Sequence, residues 1–262
     1  MSATAVRRTA LAASAAALAL LATACGGSGD ADKGAEGKGE GGSSAAASAP
    51  AAKALTAAEL EKAALAQSDV KSGKVTTKLP AGDDIAPDKV TADNEACLPL
   101  ARAHAGVAQG EPASTAKRSW LGTPKKPAPG TKPEDALLAA LDVNKTLIGL
   151  ASYDGGAAEA ALKGLSAAAQ KCAGGFTATV DGEKTRFLKV ATAAAPQGGD
   201  EGVAVNLTMA ADEGVKAPVK VVVVRKDATV ATFSTINMAA MAAGKDYKVP
   251  ADVIAAQVAK LG

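Results

Sequence analysis

Three cysteines, at positions 25, 97 and 172, constrain this chain more than any other feature because of what precedes the first of them. Residues 1–24 carry Arg7 and Arg8, then a Leu- and Ala-rich run through Leu11, Leu18, Leu20 and Leu21, then Ala22-Thr23-Ala24 directly before Cys25. A charged start, a short apolar middle and a small-residue cleavage site make an export signal peptide. The apolar run is shorter than the roughly 20 residues a bilayer-spanning helix needs, so cleavage is expected rather than a permanent span. Export takes the chain to an oxidising compartment, where paired cysteines persist as disulfides. With Cys25 at the cleavage site, Cys97 and Cys172 remain, and they are expected to join. Closing so long a loop stabilises a fold by about 4 kcal/mol on chain-entropy grounds.

The stretch Leu20-Leu21-Ala22-Thr23-Ala24-Cys25, with Gly26 and Gly27 after it, resembles the lipobox of bacterial lipoproteins. In that motif the cysteine is thioether-linked to diacylglycerol and becomes the new N-terminus. The resemblance implies lipid attachment at Cys25, and therefore a place on the outer face of the bacterial cytoplasmic membrane. Ala22 departs from the Leu usual three residues before the cysteine. The alternative is ordinary secretory cleavage after Ala24, giving a secreted protein with a free, exposed thiol that suits an oxidising compartment poorly. Arg7-Arg8 fits twin-arginine export, but Ala10 stands where that signal favours Phe, so this route and the general secretory route both stay open.

Residues 25–54, behind the cysteine, are mostly Gly, Ala, Ser, Lys and Glu. Such a segment buries too little apolar surface to offset its chain entropy and is expected to be a disordered tether. Roughly 30 such residues have a root-mean-square span of about 30 Å. Cleavage removes two of the 29 basic residues and no acid, leaving 27 against 27 acidic ones. A balanced chain without a basic stripe has no general attraction to phosphate backbones, so nucleic acid is not an expected partner.

A domain is expected over residues 55–262. Thr56 and Glu59 have capping-box spacing, with Leu55 and Leu60 at the staple positions, so a helix starts there and is expected to reach about Gln67, followed by a short strand over residues 75–79. A second helix is expected from about Glu95 to His104, and a third from the Asp154 region to Lys171. The third carries Ala158, Leu162, Leu165, Ala169 and Cys172 on one stripe and Glu159 with Lys163 four apart on the other face. Residues 114–121 and 143–153 read as extended, joined through the Pro-rich loop 123–130.

From Phe176 the period changes to two. A hairpin turning at Asp181-Gly182 is followed by a strand with Val203, Val205, Leu207 and Met209 on one face, a wholly apolar central strand over 219–224, its return over 229–236, and a final helix opened by Pro250. The expected fold is α+β: one mainly antiparallel sheet with helices packed on one face and one disulfide.

Catalytic and metal constellations are not found. His104 is the only histidine, there is no G-x-S-x-G elbow, and no cluster of His, Cys and carboxylate has a spacing suited to zinc. The acidic pairs Asp83-Asp84, Asp200-Glu201 and Asp212-Glu213 sit in turn-like stretches and read as solvated loops. No glycine pattern for nucleotides is present. No cofactor and no metal are expected, and the chain is not expected to be an enzyme. Among six aromatic residues, Trp120 and Tyr153 lie near loops and carry polar handles, which makes them the ligand-binding candidates.

Residues 55–262 resemble a family of actinobacterial lipoproteins whose sensor-like region is similar to the external domain of receptor-type serine/threonine kinases of the PknH kind. The resemblance is carried by Leu55-Thr56-Ala57-Ala58-Glu59-Leu60, Cys97-Leu98-Pro99-Leu100, Leu150-Ala151-Ser152-Tyr153, Cys172 with Phe176, and Gln257-Val258-Ala259-Lys260-Leu261. It implies a disulfide-bearing α+β domain that binds or senses an extracellular small-molecule, lipid or cell-wall ligand without catalysis, and it supplies no ligand residues. Where relatives have a Gly in the turn after the valine strand, this chain has Arg225-Lys226-Asp227. Two further functions fit the same sequence: a carrier of a lipid or other apolar molecule, and a structural envelope protein.

Overall fold

The computed structural model describes residues 53–261; the expected signal peptide, Cys25 and the tether up to residue 52 lie outside the described residues. Leu55 is the first residue tied to the domain. Its N–H donates to Ser152 Oγ at 2.9 Å and its carbonyl accepts from Ser114 Oγ at 2.7 Å.

Helix α1 (Ala57–Ala63) starts as its sequence requires, with Thr56 Oγ1 accepting from the Glu59 N–H and Glu59 accepting from the Thr56 N–H. It ends four residues before the expected Gln67, because Ala64 turns to extended backbone. Strand β1 (Lys74–Thr76) and strand β2 (Val90–Ala92) are short edge strands. A 3-10 turn over Glu95–Cys97 leads into α2 (Leu98–His104). Strands β3 (Ser114–Leu121) and β4 (Asn144–Ser152) fall where expected. Between them lies α3 (Pro133–Leu141), unforeseen in the sequence and without a buried residue.

Helix α4 (Ala157–Lys171) buries Ala158, Leu162, Leu165 and Ala169 as the stripe required, and Glu159 meets Lys163 at 2.5 Å on the other face. Then come β5 (Phe176–Val180), β6 (Glu183–Ala193), β7 (Glu201–Ala210), β8 (Lys216–Lys226) and β9 (Thr229–Asn237). A short α5 (Met238–Ala243) and α6 (Ala251–Val258) close the chain.

The nine strands form one antiparallel sheet in the order β1-β3-β4-β9-β8-β7-β6-β5-β2. Two hairpins turn where the sequence placed them: Asp181 and Gly182 both have positive φ, and Asp227 takes φ 50° in the turn between β8 and β9. Asp tolerates this left-handed region better than most residues, and the Asp200 carboxylate secures the Asp227 N–H at 2.7 Å.

The helices, expected on a single face, cover both. Val219, Val221 and Val223 of β8 face α2 and α4, in a core with Leu100, Leu162, Leu165, Tyr153 and the stacked pair Phe176 and Phe187. Val222 and Val224 face the opposite way, towards α1 and α6, in a core with Leu60, Trp120, Phe233, Ile254 and Val258. An unbroken apolar run is what a strand buried on both faces requires. Burying each valine contributes about 1.5–3 kcal/mol, so neither face is left bare along β8. Cys97 and Cys172 are joined with their Cα atoms 5.9 Å apart, tying the start of α2 to the end of α4 on the first face.

Candidate functional site

The two helices of the first face stop short of β3, and a cleft of about 710 Å³ opens where they end. Its floor is sheet bared by small side chains. Thr115 pairs with Ala151, which pairs with Val230; Lys117 pairs with Gly149, which pairs with Thr232. Gly149 has no side chain because the chain leaving α2 crosses directly above it.

One wall is that crossing segment. After α2 the chain reverses at Gly106 (φ 66°), and the Val107 N–H donates to the Arg102 carbonyl at 2.8 Å. The side chain of Gln109 reaches back to the Pro99 carbonyl, and the Tyr153 hydroxyl donates to the Gln109 carbonyl at 2.8 Å. Tyr153 is 2% exposed, and burial raises its phenol to about 12. It therefore stays protonated and keeps donating, bracing the wall with its hydroxyl while its ring lines the cleft.

The opposite wall is the segment after β1. The Pro80 carbonyl accepts the Asp83 and Asp84 N–H groups in a turn, and both carboxylates then reach lysines of the sheet: Asp84 to Lys117 at 2.9 Å and Asp83 to Lys145 at 2.7 Å. Lys117 Nζ also donates to the Ile85 carbonyl, and Ile85 enters the core. The acidic pair expected to be a solvated loop is thus a clasp. Around the strand edge Arg118 donates to the Leu65 carbonyl at 3.2 Å, to the Lys117 carbonyl at 2.8 Å and to Glu61 at 2.6 Å. Arg118 stood out by no motif or spacing, and it acts through the register of β3.

Trp120 and Tyr153 are not brought together. Trp120 belongs to the second face, where its indole donates to the Ser72 carbonyl at 3.0 Å and borders a smaller cleft of about 550 Å³. That cleft is polar. The Lys125 ammonium and the Asn237 amide hold the Asp142 carboxyl below its usual range. Tyr247 accepts from the Lys220 N–H and donates to the Thr235 carbonyl, with burial raising its phenol. Lys220 also meets Asp246 at 2.7 Å. Asp142, Asn144, Asn237, Asp246 and Tyr247 of its lining are each held by a neighbouring group.

His104 packs edge-on against Phe187 with ring centres 5.1 Å apart, and its Nδ1 is buried with no hydrogen-bond partner. Burial lowers it to about 4, which leaves it uncharged at neutral pH and without a neighbouring nucleophile. Asp200 and Glu201 both pair with Arg225. Among the described residues no three His, Cys, Asp or Glu side chains gather to hold a metal ion, and no helix is long and apolar enough to cross a membrane.

No protein-family model matches the chain, and no curated protein matches it in sequence. Among solved structures, it is similar to two from mycobacteria. One is the extracellular domain of PknH from Mycobacterium tuberculosis, 15% identical, with the match covering 79% of this chain and 95% of that one at a TM-score of 0.47. The other is a putative uncharacterized protein from Mycobacterium smegmatis, 14% identical, covering 81% of this chain and 98% of that one at a TM-score of 0.33.

Proposed function

We propose that this chain is a membrane-anchored, extracytoplasmic binding or sensing module without catalysis, and that its ligand occupies the cleft between β3 and the end of α2. The observation that carries the reading is the cleft itself. It lies within the roughly 300–1,000 Å³ usual for ligand sites, it is walled by Ile85, Val107 and Tyr153, and its charged residues Asp84 with Lys117 and Glu61 with Arg118 are already paired. Nothing in it forms a nucleophile, base and orienting group.

The cleft is tested by extracting the full chain from membranes under native conditions and weighing it beside a Thr115→Phe variant. Thr115 is exposed on the floor, and Phe suits a strand while filling the space. An additional mass carried by the wild type and lost from the variant supports the reading; a bare wild type contradicts it. The anchor on Cys25 is tested separately, since Cys25→Ser should release the protein from the membrane fraction. A chain equally soluble with either residue would make it a secreted protein.

Carriage of a lipid or other apolar molecule is the second reading, favoured by the apolar walls of the same cleft. Structural contact within the envelope is favoured by a different feature: Leu121, Leu137, Leu138, Leu141 and Met238 are all exposed towards one end of the sheet. Apolar clusters of that kind mark contact surfaces.

A further inference from the structure

Strand β1 pairs with β3 only through Lys74 and Leu121, Val75 and Trp120, and Thr76 and Ser119. From Ser114 to Arg118, β3 has β4 on one side and no strand on the other. The hydrogen bond from the Gly122 N–H to the Asn144 carbonyl fixes the alternation along β3. Ser114, Ala116 and Arg118 turn their backbone groups towards β4, and Thr115 and Lys117 turn theirs outward. Both outward residues line the cleft, which also touches Arg118 and Glu61 beyond the edge.

The chain's own sequence explains why this edge stays open. Continuing the β1 register would set Lys78 opposite Lys117 and Pro80 opposite Thr115. Like charges directly opposite repel, and proline has no N–H to give the Thr115 carbonyl. The chain therefore leaves the edge after Thr76, turns at Pro80 and returns only to clasp Lys117 through Asp84. Arg118 takes the Lys117 carbonyl, which leaves the Thr115 N–H, the Thr115 carbonyl and the Lys117 N–H without a strand partner.

We propose that this edge of β3 binds an extended peptide segment of another molecule by strand addition, antiparallel to β3 in the line that β1 abandons. Main-chain hydrogen bonds supply the affinity in such pairing, and alternate side chains meet the flanking surfaces. Five residues of free edge span about 17 Å, enough for a peptide of about five residues. The small floor residue Ala151 leaves room for its inward side chains. The segment has no proline at the position facing Thr115, whose carbonyl takes its N–H, and no lysine or arginine opposite Lys117. This inference rests on reading the cleft as a ligand site and names the class of ligand.

The test is a library of random-sequence, N-acetylated and C-amidated hexapeptides selected on the full chain, followed by fluorescence anisotropy of the enriched peptide with each backbone nitrogen methylated in turn. Strand addition requires binding to weaken about tenfold or more on methylation of the one nitrogen that donates to the Thr115 carbonyl, and to hold within about twofold where the nitrogen faces away from β3. Thr115→Pro in the protein should weaken binding similarly with the melting temperature retained; if that variant does not fold, the methylation scan on the wild type decides. No enriched peptide, or binding indifferent to methylation at every position, overturns the inference. A small apolar molecule retained in the cleft while no peptide binds would sink this inference and leave the proposed function standing.

Discussion

The carbonyl oxygen of Gly106 lies 2.8 Å from the point where a Cβ on Gly149 would stand. Strand β4 and the segment leaving α2 approach so closely only because residue 149 has no side chain. Gly149→Ala must therefore push the wall of the cleft outward. A loss of about 1–3 kcal/mol is expected, as for other overpacked contacts, and a thermal melt of the variant measures it. An unchanged melt would mean that the wall yields freely and does not shape the cleft.

Gln257 is fully buried and joins α6 to the end of α1, with Oε1 accepting from the Leu65 N–H at 2.7 Å and Nε2 donating to the Ala63 carbonyl at 2.8 Å. Gln257→Leu keeps the volume but strands two buried backbone groups. The expected cost is about 2–6 kcal/mol, since each unsatisfied group costs about 1–3 kcal/mol. Urea unfolding should show it as a lower midpoint with an unchanged slope.

The Cys97 and Cys172 pair closes a loop with a sequence separation of 75 and joins two helices of one core. The double variant Cys97→Ala with Cys172→Ala should lose about 2–4 kcal/mol of stability, measured by denaturant midpoint. Adding reductant to the wild type should reproduce that loss and leave the double variant unaffected.

His104 gives the stability a defined pH dependence. Burial holds it near 4 in the folded chain, against 6.5 for an ordinary histidine. Between these values the unfolded chain binds a proton that the folded chain refuses. Its influence is therefore absent above pH 7; stability falls as pH drops through 6.5 and the fall levels off below about 4. His104→Leu should flatten that part of a melting-temperature profile, which a series of melts from pH 8 to pH 4 would reveal.

What was legible in the sequence was local. The reciprocal Thr56 and Glu59 cap, the stripe from Ala158 to Cys172 and the Asp181-Gly182 turn each concern residues close in the chain, and all three stand in the structure. The unbroken valine run of β8 also said that both faces are buried, although helices were expected on only one. Helix α3 escaped because its leucines point outward, so no inward stripe marks it. Helix α5 is six residues long, but its Asn237 cap and left-handed Gly244 were readable signs.

The cleft was not legible, because it depends on Gly106 meeting Gly149 and on Asp84 meeting Lys117 across long stretches of chain. Nor could the opposed faces of Trp120 and Tyr153 be read, since they follow from strand positions fixed only by the whole sheet. Tyr153 was singled out for its polar handle, and that hydroxyl braces the cleft wall.

The most direct test of the binding account is amide hydrogen exchange of the full chain in two states: extracted natively from membranes, and refolded from denaturant with its disulfide intact so that any ligand has been stripped. Exchange should be slower in the native extract over residues 106–110 and 115–117, with the difference lost on stripping and the rest of the sheet unchanged. Identical exchange in both states at those residues would contradict it.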